Sequence, residues 1–191
     1  MRVPQFLKQE IYDRIFQAGI DVFYEKDYRS ATMHEIAEKA RIPVSLIYSY
    51  FKNKEELFDK IASSVSVNFD KIIEKEEQAS GLPSEKYRNI AEGYILNLLE
   101  QHKTLVILMD KSYGTKYDDS KQQMIHSLQQ HIKRSLVKKQ RRPYHDMLIH
   151  ILASNFAESI LEVARHYESR EFAHTMLRLV TKCYYEGVNS L

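Results

Sequence analysis

A short stretch near the amino terminus concentrates side chains that can contact phosphate groups. Tyr48, Ser49 and Tyr50 follow one another along the chain, and Lys54 stands four residues further on. Thr32, upstream of them, offers another hydroxyl group. Hydroxyl and ammonium groups donate hydrogen bonds to phosphate oxygens, which positions a protein on a nucleic acid without reading its sequence. These residue types therefore favour a surface that contacts a phosphate backbone.

The sequence contains no residue pattern typical of a catalytic site or a metal site. The eight histidines include no His-Glu-x-x-His motif and no Cys/His spacing typical of a metal site. The pairs His126/His131 and His145/His150 are five residues apart, a spacing that does not align two side chains on one helix face. Cys183 lies within an apolar stripe, where a buried structural thiol is the expected role. We therefore predict no enzyme, no cofactor and no metal site.

The elements that must position the phosphate-contacting side chains are helices. Residues 1–52 predict three helices of about 18, 8 and 7 residues. Thr32 and Glu35 form a Thr-x-x-Glu capping box at the start of the second helix. Pro43 cannot continue that helix but suits the first turn of the third, which is predicted to reach Tyr50. Two short helices joined by a tight turn have the outline of a helix-turn-helix module. The inner face of the second helix is predicted to carry Met33, Ile36, Ala37 and Ala40.

The rest of the chain also follows a helical period. Asn53 is predicted to cap a fourth helix that continues to Ala79. No segment has strand periodicity, so the sequence predicts an all-α fold. Further helices are predicted over about 87–98, 102–109, 124–136, 144–167 and 170–188.

Composition and charge narrow the class of protein. Lys and Arg number 28 against 26 Asp and Glu, a net charge of +2, so any nucleic-acid contact must come from a local patch. Residues 26–54 supply a weak patch, with six cations against three acids. One cysteine excludes an intrachain disulfide framework, and the longest plain apolar run, 105–109, is far too short for a membrane helix. No leader pattern is visible. We expect a cytoplasmic protein without a membrane partner.

Residues 28–57 carry a longer pattern in one register. Its parts are Thr32-Met33-His34-Glu35-Ile36-Ala37 and Ile47-Tyr48-Ser49-Tyr50-Phe51-Lys52-Asn53-Lys54-Glu55-Glu56-Leu57. This pattern resembles the N-terminal DNA-binding segment of the TetR family of bacterial transcriptional regulators, and it covers about a quarter of the chain. The resemblance implies an all-α protein of about nine helices. It implies a three-helix helix-turn-helix DNA-binding domain over 1–52 and a helical ligand-binding and dimerisation domain over 53–191.

The third helix is the expected recognition helix. Such a helix reads bases in the major groove with its first residues. Here these residues are small or apolar, so they can approach a thymine methyl group but cannot make the paired hydrogen bonds of Arg or Asn. We therefore predict a T-rich half-site within a palindromic operator of double-stranded DNA. The predicted DNA-binding residues are Thr32, Pro43, Val44, Ser45, Leu46, Tyr48, Ser49, Tyr50 and Lys54.

Several residues in this segment have structural alternatives. Phe51 is expected in the core, whereas Tyr50 suits the core and the DNA surface equally. Thr32 is explained as a helix cap alone, and Lys54 as an ordinary solvated lysine. The family often has glycine at position 41, so Arg41 is predicted to be strained by ~1 kcal/mol if its φ is positive.

The last two helices predict an assembly of two copies. Each helix is apolar on two faces, and such a helix needs two partners. In a chain of this size the second partner is predicted to be another copy, joined in a symmetric bundle. The alternative is that both helices are central in one core.

The resemblance also implies an unknown small-molecule effector that binds inside the C-terminal helices. Its binding is expected to change the separation of the two DNA-binding domains of the dimer. Asn155 and Glu158 stand out because they interrupt an apolar helix, although they suit solvent or the dimer seam equally. The basic stretch over 133–142 is interpreted as a solvated helix end, and contact with an acidic partner or with DNA is the alternative. The predicted ligand-binding residues are Phe69, Tyr94, Leu98, Met109, Tyr113, Tyr117, Met124, Asn155 and Glu158.

The resulting hypothesis is a dimeric, sequence-specific DNA-binding regulator, a repressor released from its operator by a small molecule. The alternative is a DNA-binding or scaffold dimer that a protein partner regulates through the C-terminal domain. A polar-lined cavity favours the first hypothesis, whereas a filled core with an exposed apolar patch favours the second.

Overall fold

The computed structural model describes residues 5–65, 69–137 and 144–189, and within these ranges the chain forms helices and no strand. The predicted all-α class is therefore confirmed. A π-helical segment (Tyr87–Ala91) joins two of the helices end to end. The helices are α1 (Gln5–Glu25), α2 (Met33–Ala40), α3 (Val44–Ile47), α4 (Lys54–Ser64), α5 (Phe69–Gln78), α6 (Pro83–Lys86), α7 (Glu92–Glu100), α8 (His102–Asp110), α9 (Ser120–Val137), α10 (Asp146–Arg165) and α11 (Arg170–Asn189).

The chain divides into two compact units. The first, here the N-terminal unit, comprises residues 1–66 and 103–118, and the second, the C-terminal unit, comprises 67–102 and 119–191. The N-terminal unit extends beyond residue 52 because α4 packs against α1. Within it, Lys103 Nζ donates to Asp21 Oδ1 at 2.6 Å.

The core of the N-terminal unit forms where α1 meets α2 and α4. Phe23 on α1 and Phe58 on α4 are both fully buried, with their rings edge to face at 5.1 Å between centroids. Burying such a side chain stabilises the fold by roughly 1.5–3 kcal/mol. The two helices approach closely at Gly19, where an added β-carbon would lie 2.9 Å from Ile61 Cδ1.

The fourth helix is shorter than predicted. Asn53 caps it as expected, its side chain accepting from the Glu56 amide at 2.8 Å. The predicted continuation to Ala79 is wrong, because α4 ends at Ser64 and Val65 leaves the helical region at φ −96°, ψ 74°. Residues 63–65 combine serines, whose hydroxyls bond back to carbonyls of the preceding turn, with a β-branched residue, and both types weaken a helix.

The C-terminal unit is built around α10, which packs against α9 and α11. Ala153, Ala157 and Leu161 form its fully buried face, and the two alanines allow neighbouring helices to come close. By length and composition α10 could also cross a membrane. A buried core helix passes the same test, and α10 buries eight of its residues in this unit.

The two faces of α11 differ sharply in exposure. Leu177 is fully buried, whereas Leu179 is 48% exposed. The predicted burial of Cys183 is wrong, because this thiol is exposed on the same outward side as Leu179. The apolar stripe that suggested burial is therefore real, but it faces away from the core of its own chain.

Candidate DNA-binding surface and inner cavity

The third helix presents a mostly exposed surface on a buried anchor. Ile47 and Phe51 are 0% and 2% exposed and hold the segment against the core, where the Phe51 ring packs 5.3 Å from that of Tyr12. Phe51 thus lies in the core, as predicted. Tyr48 is 53% exposed and Val44 is 36% exposed. Among the other predicted DNA-binding residues, Pro43, Ser45 and Ser49 are exposed, while Leu46 and Tyr50 are half-buried.

The regular part of this helix is shorter than predicted. The α-helical stretch ends at Ile47, and the chain continues to Phe51 as a tight turn. In this turn the Ser49 amide donates to Leu46 O at 3.1 Å and the Tyr50 amide to Ile47 O at 2.8 Å. These i to i−3 bonds keep the backbone coiled, so Tyr48 and Ser49 remain on an ordered, solvent-facing surface.

The second helix begins with the predicted capping box. The Glu35 amide donates to Thr32 Oγ1 at 3.3 Å, and the Thr32 amide donates to Glu35 Oε2 at 3.0 Å. All four residues predicted for the inner face are buried. The hydrogen bonds between Thr32 and Glu35 confirm the role of Thr32 as a helix cap. Thr32 is also exposed, and its contact with phosphate stays a prediction.

The turn between α2 and α3 is strained at one residue. Arg41 has φ 55° and ψ 49°, the left-handed conformation that favours glycine. The Ile42 amide donates to Ala37 O at 3.1 Å, which closes the helix end. The Arg14 guanidinium donates to the carbonyls of Ala40 and Arg41 and holds the turn from outside. Sequence reasoning missed Arg14, because this partnership spans 26 and 27 residues and has no spacing pattern.

Lys54 has an internal role that the sequence did not indicate. Its Nζ donates to Tyr28 O at 2.7 Å, to Ala31 O at 2.8 Å and to Arg29 O at 3.3 Å. An ammonium group has three donors, so these carbonyls use all of them. Burial lowers the pKa of Lys54. Its predicted phosphate contact stays a prediction and would require the ammonium group to leave this position.

The positive charge of the segment is partly neutralised by ion pairs. Lys26 pairs with Glu35, and Lys39 pairs with Glu25. Within the described ranges, Arg41 and Lys52 are in no ion pair, and they flank the recognition segment at its two ends. Arg29 lies 3.9 Å from the centroid of the Tyr113 ring.

A cavity of about 40 Å³ lies inside the C-terminal unit. Its walls are mostly aliphatic or aromatic, with carboxylate, imidazole and phenol groups at one part. The Tyr185 hydroxyl donates to Glu76 Oε1 at 3.3 Å, and burial together with the charge of Glu76 raises the pKa of Tyr185, which keeps this phenol protonated. The lining residues are Ile72, Ile73, Glu76, Tyr87, Ala91, Ile95, Met124, Leu128, His131, Phe156, Ile160, Tyr184 and Tyr185.

The residues predicted to bind a ligand do not form one group. Met109, Tyr113 and Tyr117 belong to the N-terminal unit, and the other six belong to the C-terminal unit. Of the five among these six whose side chains are described, only Met124 lines the inner cavity. The side chain of Phe69 lies outside the described part of the chain.

The remaining predicted ligand residues have other surroundings. Glu158 is paired with Lys121 at 2.7 Å and with Arg165 at 2.5 Å. Asn155 is exposed beside a groove between α10 and α11. Leu98 is buried, and Tyr94 is 44% exposed with its hydroxyl accepting from Lys75 Nζ at 3.0 Å. Their ligand contacts stay predictions.

The basic stretch over 133–142 is described only in part. Lys133 pairs with Asp146 at 3.0 Å and Arg134 with Glu77 at 2.8 Å. Its other four cations, at positions 138, 139, 141 and 142, lie outside the described residues.

Comparison with known proteins matches the helix-turn-helix region to a family. A family model described as "Bacterial regulatory proteins, tetR family" matches residues 15–61, which include α2, the turn and α3. The uncharacterized HTH-type transcriptional regulator YvkB of Bacillus subtilis is 39% identical over 64 residues, which are 34% of each chain. The chain spans between a third and just over half of the length of the curated relatives that it matches.

Solved structures extend the likeness to the whole fold. A TetR-like transcriptional regulator from Rhodococcus sp. RHA1 superposes with a TM-score of 0.63 at 18% identity and covers 100% of both chains. A putative fatty acid metabolism regulator of Clostridium perfringens gives a TM-score of 0.60 at 24% identity over 91% of this chain and 97% of its own. Residues 15–61 thus match the tetR family of bacterial regulatory proteins, and the whole chain shares its all-α fold with solved TetR-like regulators.

Proposed function

We propose that this chain is a sequence-specific, DNA-binding transcriptional regulator that reads the major groove with α3. The observation that carries the proposal is the anchored but exposed recognition segment. Ile47 and Phe51 fix it in the core, while Val44 and Tyr48 face solvent. The exposed hydroxyls of Tyr48 and Ser49 suit phosphate oxygens, and the small residues at its start suit a thymine methyl group.

The proposal includes a homodimer formed through α10 and α11. Both helices bury one face within their own unit, yet Met147, Ile151 and Leu179 are 58%, 46% and 48% exposed. The groove between the helices is lined by apolar groups and also by Asn155 and Cys183. Large exposed apolar side chains on helices that are already packed support burial against a second copy in a symmetric bundle. A dimer presents two recognition helices, which suits a palindromic operator.

We propose that the protein is a cytoplasmic repressor that a small-molecule effector regulates. Binding of the effector releases the repressor from its operator. The inner cavity supports this part, because its apolar lining and few polar groups are typical of a small-molecule site. The fatty acid metabolism regulators among its relatives give further support for a small effector, by their names. A ligand that favours one spacing of the two recognition helices would change the affinity for DNA.

The alternative is a DNA-binding or scaffold dimer that a protein partner, rather than a small molecule, regulates through the C-terminal domain. It requires exposed apolar surface in that domain as the docking site. Release of the purified protein from its operator by a small molecule, with no added protein, distinguishes the two in favour of the effector. The match of residues 15–61 to a family of bacterial regulatory proteins supports the expectation that the chain is not an enzyme.

The test is selection of bound duplexes from a randomised DNA pool at near-physiological salt. We expect the wild type to recover an inverted repeat with T-rich half-sites. The Tyr48→Phe variant, which loses only an exposed hydroxyl, is expected to bind that repeat roughly 2- to 10-fold more weakly. Tyr113→Phe is the matched control, because it removes another exposed phenol hydroxyl outside α3. Failure to enrich any sequence contradicts the proposal, and a half-site dominated by G·C pairs contradicts the predicted mode of base reading.

A further inference from the structure

The inner cavity contains a buried carboxylate with weak local partners. Glu76 on α5 is 5% exposed. Within the described residues its polar contacts are long, since the Tyr185 hydroxyl lies at 3.3 Å and His131 Nε2 at 3.7 Å from Oε1. Hydrogen bonds from charged donors to carboxylates are typically about 2.7–2.9 Å. The carboxylate therefore retains capacity to accept from a donor that enters the cavity.

A second polar group in the same cavity lacks a partner. Tyr87, in the π-helical segment, is 4% exposed, and its hydroxyl makes no hydrogen bond within the described part of the chain. Burying a hydroxyl without a partner is unfavourable, so such groups usually have a structural or binding role. This hydroxyl and the Glu76 carboxylate line one cavity, and both are able to accept a hydrogen bond.

Aromatic rings surround these two acceptors. Phe156 and Tyr184 are 4.5 Å apart between centroids, Tyr184 and Tyr185 5.2 Å, and Tyr185 and Tyr87 5.7 Å. The faces of such rings attract cations, most strongly where water is excluded. A carboxylate, a free hydroxyl and four rings together match the chemistry of an ammonium group.

The charges that face Glu76 come from two helices. Glu77 stands beside it on α5 and is paired with Arg134 Nε at 2.8 Å. His131 on α9 lies 3.1 Å from Glu77 and 3.7 Å from Glu76. Burial opposes a charged imidazole, but the two carboxylates outweigh it and raise the pKa of His131. Among the described residues, the π-helical segment, α10 and α11 contribute no charged side chain to the cavity. They line it with Ala91, Ile160 and the rings of Tyr87, Phe156, Tyr184 and Tyr185.

A wider cleft adjoins the cavity. It has a volume of about 440 Å³, within the range of small-molecule sites, and Tyr87 and Tyr185 line both spaces. These two rings therefore form the shared wall, and their displacement would join cleft and cavity. The cleft is flanked by charges of both signs, including Arg178, Glu92 and Glu186. Its size accommodates the apolar body of a ligand whose head group reaches Glu76.

We propose that the joined cavity and cleft bind a protonated amine with an apolar body, whose ammonium group donates to the Glu76 carboxylate and the Tyr87 hydroxyl. This inference names the effector class of the regulator proposed above and rests on that proposal for its biological role. The bound cation takes the place of the charge on protonated His131. Its affinity therefore rises with pH while His131 loses its proton.

The test compares three ligands with the same chain and different head groups. Isothermal titration of the full-length protein without DNA uses n-octylammonium, n-octanol and octanoate. We expect n-octylammonium to bind roughly 10- to 100-fold more tightly than n-octanol, because it adds a charged hydrogen bond, and octanoate to bind most weakly. Equal affinities, or tightest binding of octanoate, would overturn the proposal.

Variants separate a binding role from a structural one. Glu76→Gln is expected to abolish the preference for n-octylammonium over n-octanol, whereas Tyr185→Phe, which removes a neighbour of Glu76 but keeps the carboxylate, is expected to retain it. Tyr87→Phe keeps the ring and is expected to weaken n-octylammonium binding about 2- to 10-fold while leaving the melting temperature unchanged or higher. A Tyr87→Phe protein with wild-type affinity would contradict the assigned hydrogen bond, even if Glu76→Gln fails to fold.

A separate DNA-binding measurement keeps this inference distinct from the proposed function. If n-octylammonium binds but the operator complex is unaffected, the amine site stands and the amine is not the effector. If the operator is bound and n-octylammonium shows no preference, the amine site fails while the DNA-binding function stands.

Discussion

The recognition segment and the inner cavity handle polar groups in opposite ways. Around α2 and α3 the polar groups have close partners: Thr32 and Glu35 cap α2, Arg14 donates to the turn, and Lys54 donates to backbone carbonyls. In the cavity, within the part of the chain that the structure describes, the Tyr87 hydroxyl has no hydrogen-bond partner and the polar contacts of Glu76 are long. The first region places its chemistry on a rigid outer surface. The second keeps polar groups without close partners in its interior. A ligand that hydrogen-bonds to these groups would stabilise the conformation in which they are accessible.

The largest expected effect comes from removing the buried anchor of the recognition segment. Phe51→Ala is expected to lower the free energy of unfolding by roughly 3–5 kcal/mol, because it empties a fully buried ring position beside Tyr12. Urea denaturation measures this. Tyr48→Ala, three residues earlier but 53% exposed, is the control and should change the stability by less than ~0.5 kcal/mol. A similar loss for both variants would show that α3 is not anchored as described.

The next test removes the three-carbonyl contact of the N-terminal unit. Lys54→Met keeps much of the aliphatic stem but leaves the carbonyls of Tyr28 and Ala31 without this donor, so we expect a loss of roughly 1–3 kcal/mol in unfolding free energy. Lys52→Met replaces an exposed lysine nearby and should be close to neutral. If Lys54→Met keeps full stability but loses affinity for DNA, the phosphate contact predicted from the sequence is the better interpretation.

A smaller effect is expected at the strained turn. Arg41→Gly places glycine at φ 55° and should raise the unfolding free energy by ~1 kcal/mol. The same variant removes one of the unpaired cations beside the recognition segment, so affinity for the operator should fall. Stability and affinity measured on one preparation provide the check. A less stable Arg41→Gly protein would mean that the arginine side chain stabilises the turn.

The smallest effect concerns pH and the cavity. The pKa of His131 is raised in the folded chain, so its pairing stabilises the fold fully below the unfolded pKa of about 6.5 and is lost as pH rises through the folded pKa. The wild type should therefore lose stability above about pH 6.5, and His131→Gln should flatten that part of the profile. The exposed His34→Gln is the control. If His131→Gln keeps the wild-type pH profile of stability, protonation of His131 does not stabilise the fold as described.

Local chemistry explains which parts the sequence could predict. The caps at Thr32 and Asn53 need only residues three positions away, and both formed as expected. The core role of Phe51 follows from helical spacing. Arg14 and Lys54 were missed because their partners lie 23 to 27 residues away. The end of α4 was missed because apolar spacing continued past the point where serines and valine leave the helix.

The cavity was the least predictable part. Its polar groups come from positions as distant as Glu76 on α5 and Tyr185 on α11, and only the tertiary packing of the C-terminal unit brings such residues together. The exposure of Cys183 was missed for a related reason. A stripe of apolar residues shows that a face must be covered, but it does not show which chain covers it.

The ion pairs Lys26–Glu35 and Lys39–Glu25 have a consequence for how the protein searches a genome. Cations that are already neutralised release few counterions from DNA, and counterion release drives binding to arbitrary sequences. If Arg41 and Lys52 are the cations that each subunit contributes, the logarithm of affinity should fall with the logarithm of salt at a slope of about −4 for two subunits. Such a protein binds non-operator DNA weakly, and its affinity for the operator depends on shape complementarity more than on charge.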